Sequence, residues 1–397
     1  MNLLANAATT AGPVLLGLFL LWVVLSDTFK TIVLPRTVAR RVQLTKLFDN
    51  VLWDVWSLIA RRLKPGASFR EAFLGTFGPL SLLLLIIVWL VGLVLAFALI
   101  FYGLRIRVNA PDEAPGFGTY LYMSGVTVLT LGFGDVTPQA PLGRTLSVIE
   151  AGVGFGFFAI VISYLPVLYQ AFSRREVLIA LLDARAGSPP AAGELLRRHG
   201  AGGGHNMEAL TTLLRDFERW CAELLESYIS YPILAFYRSQ HEQQSWLSAL
   251  TCVADTCALV RAALDEEQAG DDCPWLAPLV WQAGLTFAIA RHVLVDLAYL
   301  IDAPPLRAAS ERPDRLAPEA YRRLYADLTA VGLPLGRDPG AVEAALRDLR
   351  DEYEPFVAGL SKFLFLPSPA WTHETDEAPD NWQTSAWDEG DKNNVHF

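Results

Sequence analysis

The chain has 397 residues, 52% hydrophobic and 19% charged, with a mean hydropathy of +0.31 and a net charge of −10. Soluble domains average about 25% charged residues, so this composition argues against a wholly soluble protein and against general disorder, and the acidic balance argues against nucleic-acid binding. The length suggests two or three domains, and charge separates them: residues 1–172 hold 12 Lys/Arg and 8 Asp/Glu, whereas residues 173–397 hold 20 and 34.

The first element is apolar. Residues 1–26 carry no charge, and Pro13 to Leu34 reads as one helix with Asp27 and Lys30 in its last turns. About 20 apolar residues in a helix cross a hydrocarbon core of about 30 Å. No basic stretch precedes the run and no A-x-A-like site follows it, so residues 1–34 are expected to be an uncleaved transmembrane helix rather than a signal peptide. Lys30 alone cannot supply the several gating charges of a voltage sensor.

Residues 35–76 form a basic linker with Arg36, Arg40, Arg41, Lys46, Arg61, Arg62, Lys64 and Arg70, whereas the loop 104–143 has only Arg105 and Arg107. Basic loops stay in the cytoplasm. This places 35–76 inside, 104–143 outside, the N-terminus outside and everything after Phe172 in the cytoplasm, in agreement with Arg174 and Arg175. Within the linker, Leu44, Leu47, Phe48, Val51, Leu52, Val55, Leu58 and Ile59 recur at helical spacing beside Trp53 and Trp56. The helix either lies on the inner leaflet or packs on the cytoplasmic domain.

Two more spans follow. Phe77 to Tyr102 is rich in Leu, Ile, Val and Phe, giving a helix over 77–103. No charge lies between Glu150 and Arg174, giving a second over 144–172. Between them, residues 119–129 are apolar but too short to span, and read as a helix dipping in from outside. Thr130-Leu131-Gly132-Phe133-Gly134-Asp135 comes next. Successive carbonyls face the same way only if neighbouring residues alternate between right- and left-handed backbone, and glycine takes positive φ at little cost. With Gly132 and Gly134 left-handed, the carbonyls of Thr130, Leu131, Gly132 and Phe133 can stack as rings of oxygen able to replace the hydration shell of a monovalent cation. The Thr130 hydroxyl adds a lower ring. Such backbone survives at membrane depth only where it lines a hydrated cavity or is buried in protein.

These residues resemble the potassium channel pore family, whose filter reads TVGYG. The likeness rests on T-L-G-F-G-D at 130–135, on the preceding pore-helix-like segment with Thr127, and on the order outer helix, pore loop, inner helix over 77–172. It implies K+ as the permeant ion, bound at Thr130, Leu131, Gly132 and Phe133. Asp135 is implied to attract cations at the outer mouth. One pore loop per chain implies a homotetramer, because four copies are needed to surround an ion. Leu131 stands for the usual Val and Phe133 for the usual Tyr. The carbonyl ligands survive both changes, but Phe133 lacks the hydroxyl that braces the family's Tyr.

The helix over 144–172 would then line the pore. Gly152, Gly154 and Gly156 fall within it, Gly154 at a position like the family's gating hinge, and they serve either as hinge or as close packing. Pro166 removes a backbone donor, and either shapes an inner gate or ends the span. Glu150 either braces the back of the filter or sits exposed at the interface.

Residues 173–366 read as an all-α cytoplasmic domain, with helical periodicity in 176–185, 206–231, 233–264, 275–301, 316–332 and 341–365. Breaks are expected at Gly187-Ser-Pro-Pro, Gly200-Ala-Gly-Gly-Gly, Gly270-Asp-Asp-Cys-Pro, Ala303-Pro-Pro and Gly336-Arg-Asp-Pro-Gly. Residues 273–290 lack charge and rival these helices as a fourth span, but Pro274, Pro278, Gln282 and Gly284 interrupt them. Gly200-Ala-Gly-Gly-Gly lacks the G-K-[ST] of a phosphate loop and reads as a linker, and His241-Glu242 lacks the second His of a zinc protease. Polar and aromatic residues over 237–246 are either a helix face or a docking surface. Cys221, Cys252, Cys257 and Cys273 are expected to be reduced thiols. The acidic tail, 367–397, reads as disordered, with Trp371, Trp382 and Trp387 as docking candidates.

The expectation is an all-α membrane protein of a bacterial-type plasma (inner) membrane: a homotetrameric, potassium-selective channel with an extra N-terminal span, regulated by its helical cytoplasmic domain. Its partners are K+, the lipid bilayer and its own copies, with no nucleic acid, no cofactor and no catalysed reaction. A nonselective cation channel and a membrane-tethered binding module with a vestigial pore are the rival readings.

Overall fold

The computed structural model describes residues 2–34, 44–64, 68–110, 115–239, 244–269 and 273–373. Arg36, Arg40 and Arg41, residues 241–243, the break at 270–272, and Trp382 and Trp387 with the acidic residues from 374 onward lie outside them. The chain is an all-α membrane protein. It divides into two units, Met1–Gln170 and Ala171–Phe397, next to the expected boundary at 172/173.

The first unit begins with α1 (Asn2–Thr28), extended by a π-helical turn over Phe29–Val33. It packs along α3 (Ser68–Gly103), where Gly17 and Gly92 let the helices touch: a Cβ on Gly17 would lie 2.6 Å from the Ala96 carbonyl oxygen. Small residues permit such approach between membrane helices. The outer helix starts at Ser68 rather than 77: residues 68–74 are helix-compatible, and the single Gly75 is tolerated inside it. Pro79 is accommodated inside it.

Between them, α2 (Leu44–Ala60) carries two apolar faces. Its tryptophan side lies on α3, with Trp56 stacked on Phe73 at 4.3 Å and Trp53 edge-on to Phe77 at 4.7 Å. The opposite stripe of Leu47, Val51, Val55 and Leu58 is exposed. The start of α2 is fixed by the carboxylate of Asp27, which accepts from Thr45 Oγ1 at 2.7 Å and from Trp89 Nε1 of α3 at 2.9 Å. A buried carboxylate with several donors avoids the cost of an unpaired charge, so this polar residue in α1 joins three helices.

After α3, β1 (Val108–Asn109) pairs antiparallel with β2 (Thr137–Pro138), on either side of α4 (Phe117–Val128). The third long helix, α5, runs over Pro141–Ala186 rather than 144–172. It passes through Pro166, so that residue does not end the helix, and Arg174, Arg175 and Glu176 continue the helical backbone without a breaker until Gly187. Val24, Leu85, Trp89, Leu93, Val128, Phe157 and Val161 form a core shared by α1, α3, the end of α4 and α5.

The second unit holds the end of α5, α6 (Ala192–Ala201), α7 (Gly203–Ser230), α8 (Trp246–Ala263), the short α9 (Glu266–Ala269), α10 (Leu276–Leu300), α11 (Pro318–Ala330), α12 (Pro339–Asp351) and α13 (Glu354–Leu364). The expected glycine linker is instead the tight corner between α6 and α7, with Gly203 at φ +69°. The expected helix over 233–264 yields only α8, because Pro232 opens a 3-10 turn and Ser245 caps a new start, its Oγ accepting from the Ser248 N–H. The expected helix over 341–365 divides at Glu354-Pro355.

Among the described residues, five helices are long and apolar enough to cross a membrane, α8 and α10 among them. In α8 every residue from Trp246 through Val260 is buried among neighbouring helices. α10 packs on α7, where Gln282 donates to Glu218 Oε2 at 2.7 Å and Thr286 to the Leu214 carbonyl at 3.0 Å. Burial of each Leu, Val or Phe contributes about 1.5–3 kcal/mol in water, which accounts for the apolar composition of α8, whereas α10 leaves Trp281, Leu285 and Tyr299 exposed on its other side.

The start of the expected disordered tail is ordered. Trp371 is buried, its carbonyl accepts from the Gly193 N–H at 2.9 Å, and Arg315 Nε donates to the Pro369 carbonyl at 2.8 Å. The Trp371 ring lies 5.7 Å from the Arg315 guanidinium and 5.5 Å from that of Arg350, a cation–π arrangement. Both arginines belong to a buried network with Asp255, Glu354 and Tyr353, whose hydroxyl donates to Asp255 Oδ1 at 2.5 Å. The network gives Trp371 a charged seat that composition alone did not reveal.

Candidate functional site

Residues 130–135 leave the C-terminal end of α4 as an extended stretch. Thr130 N–H donates to Thr127 O at 3.0 Å and Leu131 N–H to Val126 O at 2.9 Å, so the last turn of α4 anchors the segment. Thr127 Oγ1 bonds back to Met123 O at 2.8 Å within α4. Gly132 has φ +63° and Gly134 φ +77°, the left-handed values that the alternation requires. Thr130 also lies at φ +57°, so the handedness alternates over three positions and not only at the glycines. A branched residue costs roughly 1–2 kcal/mol there. Such strain persists where the surroundings over-determine it, as the two anchoring bonds do.

Among the described residues, no backbone N–H bonds to the carbonyl oxygens of Thr130, Leu131, Gly132 or Phe133. Backbone acceptors without protein partners need another source of hydrogen bonds or positive charge. The side chains of this stretch are also bare in one protomer: Leu131 is 53% and Phe133 65% exposed.

The far end of the segment is clamped. Tyr122 of α4 donates its hydroxyl to Asp135 Oδ2 at 2.8 Å. The β1–β2 pair and the Gln139 N–H to Arg107 O bond of 2.9 Å tie the exit of the segment to the end of α3. Tyr120 donates to Ile106 O at 2.8 Å and holds that same corner against α4.

Behind the segment, α5 lies against the end of α4. A Cβ on Gly154 would come within 2.4 Å of the Val128 carbonyl oxygen, whereas one on Gly152 or Gly156 would meet nothing. Within one protomer and among the described residues, close packing is therefore seen at Gly154 and not at Gly152 or Gly156. Glu150, one turn earlier, is fully buried and 2.5 Å from Ser124 Oγ, so it is not at an exposed interface. Pro166 lies farther along α5, away from these contacts in sequence. Tyr122 and Ser124 were not singled out by sequence: neither spacing nor composition marks a tyrosine thirteen residues before an aspartate as its partner.

In the second unit, α5 is anchored by Arg175. Its Nη1 donates to Tyr228 Oη at 2.7 Å and to Leu234 O at 3.2 Å, and its Nη2 to Tyr237 O at 3.1 Å. Burial works against the charge on this guanidinium, but Tyr228 and Glu176 beside it outweigh burial and raise its pKa. Cys221, Cys252 and Cys257 are buried free thiols, and desolvation raises their pKa, which leaves them unreactive.

One comparison with known proteins falls on the same region. A family profile described as "Ion channel" matches residues 85–170. Protein LctB of Bacillus caldotenax is 31% identical over 94 residues, covering 21% of this chain and 69% of that protein. An uncharacterized membrane protein, YdjJ, of Bacillus subtilis (strain 168) is 23% identical over 193 residues, 48% of this chain and 55% of that one. A "Probable potassium channel protein 2" of Methanocaldococcus jannaschii is 42% identical over 60 residues, 15% of this chain and 16% of its own length. The chain thus spans about half of the Bacillus subtilis relative and a small part of the methanogen one. No solved structure matches.

Proposed function

The chain belongs to the ion channel family, and from that premise we propose that four copies assemble into a potassium-selective channel whose filter is Thr130 to Gly134. The observation that carries this reading is the alternating left-handed backbone at Thr130, Gly132 and Gly134, joined to four consecutive carbonyls without protein partners. Rings of such carbonyls replace the water around a dehydrating monovalent cation. The exposure of Leu131 and Phe133 in a single protomer supports assembly, since apolar side chains around a filter need cover. The methanogen relative's name, which specifies potassium, supports the choice of ion.

Asp135, held by Tyr122, would concentrate cations at the outer mouth. Phe133 lacks the family's hydroxyl, and the Tyr122–Asp135 bond is a brace supplied from the pore helix instead. The basic residues of the linker and Arg174 and Arg175 favour a plasma-membrane orientation with the N-terminus outside and the second unit in the cytoplasm. Because α5 runs on to Ala186 and is gripped there by Arg175 and its partners, regulation would reach the pore through this helix.

The test is flux. Purified protein in liposomes is expected to pass K+, and Gly134→Asp to abolish the flux, because an aspartate is strained at φ +77° and adds charge at the filter. Unchanged flux in that variant would remove the filter assignment.

A further inference from the structure

Ser124 sits in α4 between two acceptors. Its Oγ is 2.9 Å from the carbonyl oxygen of Val94 in α3 and 2.5 Å from Oε1 of Glu150 in α5. A serine hydroxyl has one hydrogen, whereas a carbonyl and an ionised carboxylate are acceptors only. One hydrogen cannot serve both at these distances. All three groups are satisfied together if the Glu150 carboxyl carries a hydrogen and donates it to Ser124 Oγ, leaving Ser124 to donate to Val94 O.

A second observation agrees. The other oxygen, Glu150 Oε2, is buried without a hydrogen-bond partner. A bare oxygen on a buried anion is far more costly than the carbonyl oxygen of a neutral acid. The charged and titratable groups on the packed elements are turned elsewhere: Tyr120 to Ile106 O, Tyr122 to Asp135, Arg144 to Pro138 O, and Asp27 to Trp89 and Thr45. Among the described residues, no salt bridge joins Arg105, Arg107 or Arg144 to Glu150.

The three groups belong to the outer, pore and inner helices. Ser124 lies one turn before Thr127, whose carbonyl accepts the Thr130 N–H at the start of the filter. We propose that Glu150 is a positioning residue that acts as a neutral carboxylic acid, completing a hydrogen-bond relay through Ser124 to Val94 and so fixing the pore helix, and with it the filter, between the two spanning helices. Its effect on selectivity rests on the channel reading above; its role as a donor does not.

Two measurements on full-length protein in liposomes test it separately. In infrared difference spectra near neutral pH, subtraction of Glu150→Gln from the unaltered protein is expected to reveal a carboxylic-acid carbonyl band, shifted to higher frequency in Ser124→Ala, where the donated bond is lost. No acid band assignable to Glu150 would overturn the donor assignment, whatever the protein conducts. In flux, Glu150→Gln is expected to keep the K+/Na+ permeability ratio within about twofold, because its amide donates to Ser124 Oγ as the acid does. Glu150→Val and Ser124→Ala, which break the relay, are expected to lower the ratio about tenfold, the worth of one buried hydrogen bond. If Glu150→Val does not assemble, Ser124→Ala carries the test, since it removes a single oxygen. An unaltered ratio in Ser124→Ala would overturn the positioning role. Unaltered protein without K+ preference would instead contradict the channel reading and leave the infrared result to decide the donor.

Discussion

The hydroxyl of Tyr122, in α4, donates to the carboxylate of Asp135, the residue after Gly134, at 2.8 Å. The contact closes a short circuit of chain: α4 leads into the segment proposed as the filter, and the exit of that segment is bonded back to α4. Phe133 has no hydroxyl, so in the proposed filter this bond would supply the brace. Water competes for both partners of this exposed pair, so the bond acts on the geometry of the segment more than on the stability of the fold. Tyr122→Phe is expected to leave assembly intact and to shorten sustained K+ conduction several-fold in single-channel records. Records of unaltered duration would show that the bond does not support the filter.

Gly154 supplies a sharper steric contrast. A methyl group there would overlap the Val128 carbonyl, while the same group at Gly152 or Gly156 meets nothing. Overpacking costs typically about 1–3 kcal/mol. Gly154→Ala is expected to lower the thermal stability of the membrane unit and reduce flux, with Gly152→Ala and Gly156→Ala close to the unaltered protein. Equal effects at all three positions would favour a hinge shared along the helix over local packing.

The second unit carries its own pH dependence. His199 is buried in α6, and its Nδ1 lies 2.7 Å from the Leu195 carbonyl oxygen. Desolvation lowers its pKa, with Arg185 and Arg198 acting in the same direction. The unfolded chain takes up a proton at this residue near pH 6.5, whereas the folded chain takes it up only at lower pH. Folding stability from this group is therefore complete above about pH 6.5 and is lost as pH falls toward the folded pKa. Chemical denaturation of the full chain between pH 7.5 and 5, which the linkage relation governs, is expected to show that loss, with a smaller slope in His199→Asn. An equal slope in the variant would assign the loss to other groups.

What could be read in advance divides by range. The long apolar helices, the short helix between the second and third of them and the handedness of Gly132 and Gly134 are local properties of apolar runs and of glycine, and sequence expressed them directly. The ends of elements were harder: α3 and α5 outrun their expected limits because the residues beyond Phe77 and Phe172 are still compatible with a helix. The contacts that position the site were not legible. Ser124 meets Glu150 across 26 residues, Tyr122 meets Asp135 across 13, and Trp89 meets Asp27 across 62. Trp371 looked like part of an acidic tail because its seat, Arg315 and Arg350, is assembled only by the fold.

Selective permeation through the stack of carbonyls from Thr130 to Phe133 is read out by the reversal potential of the purified full chain in a bilayer between K+ and Na+ solutions. A reversal potential close to the K+ equilibrium value is the predicted result; one near the midpoint between the K+ and Na+ values would contradict a potassium-selective filter.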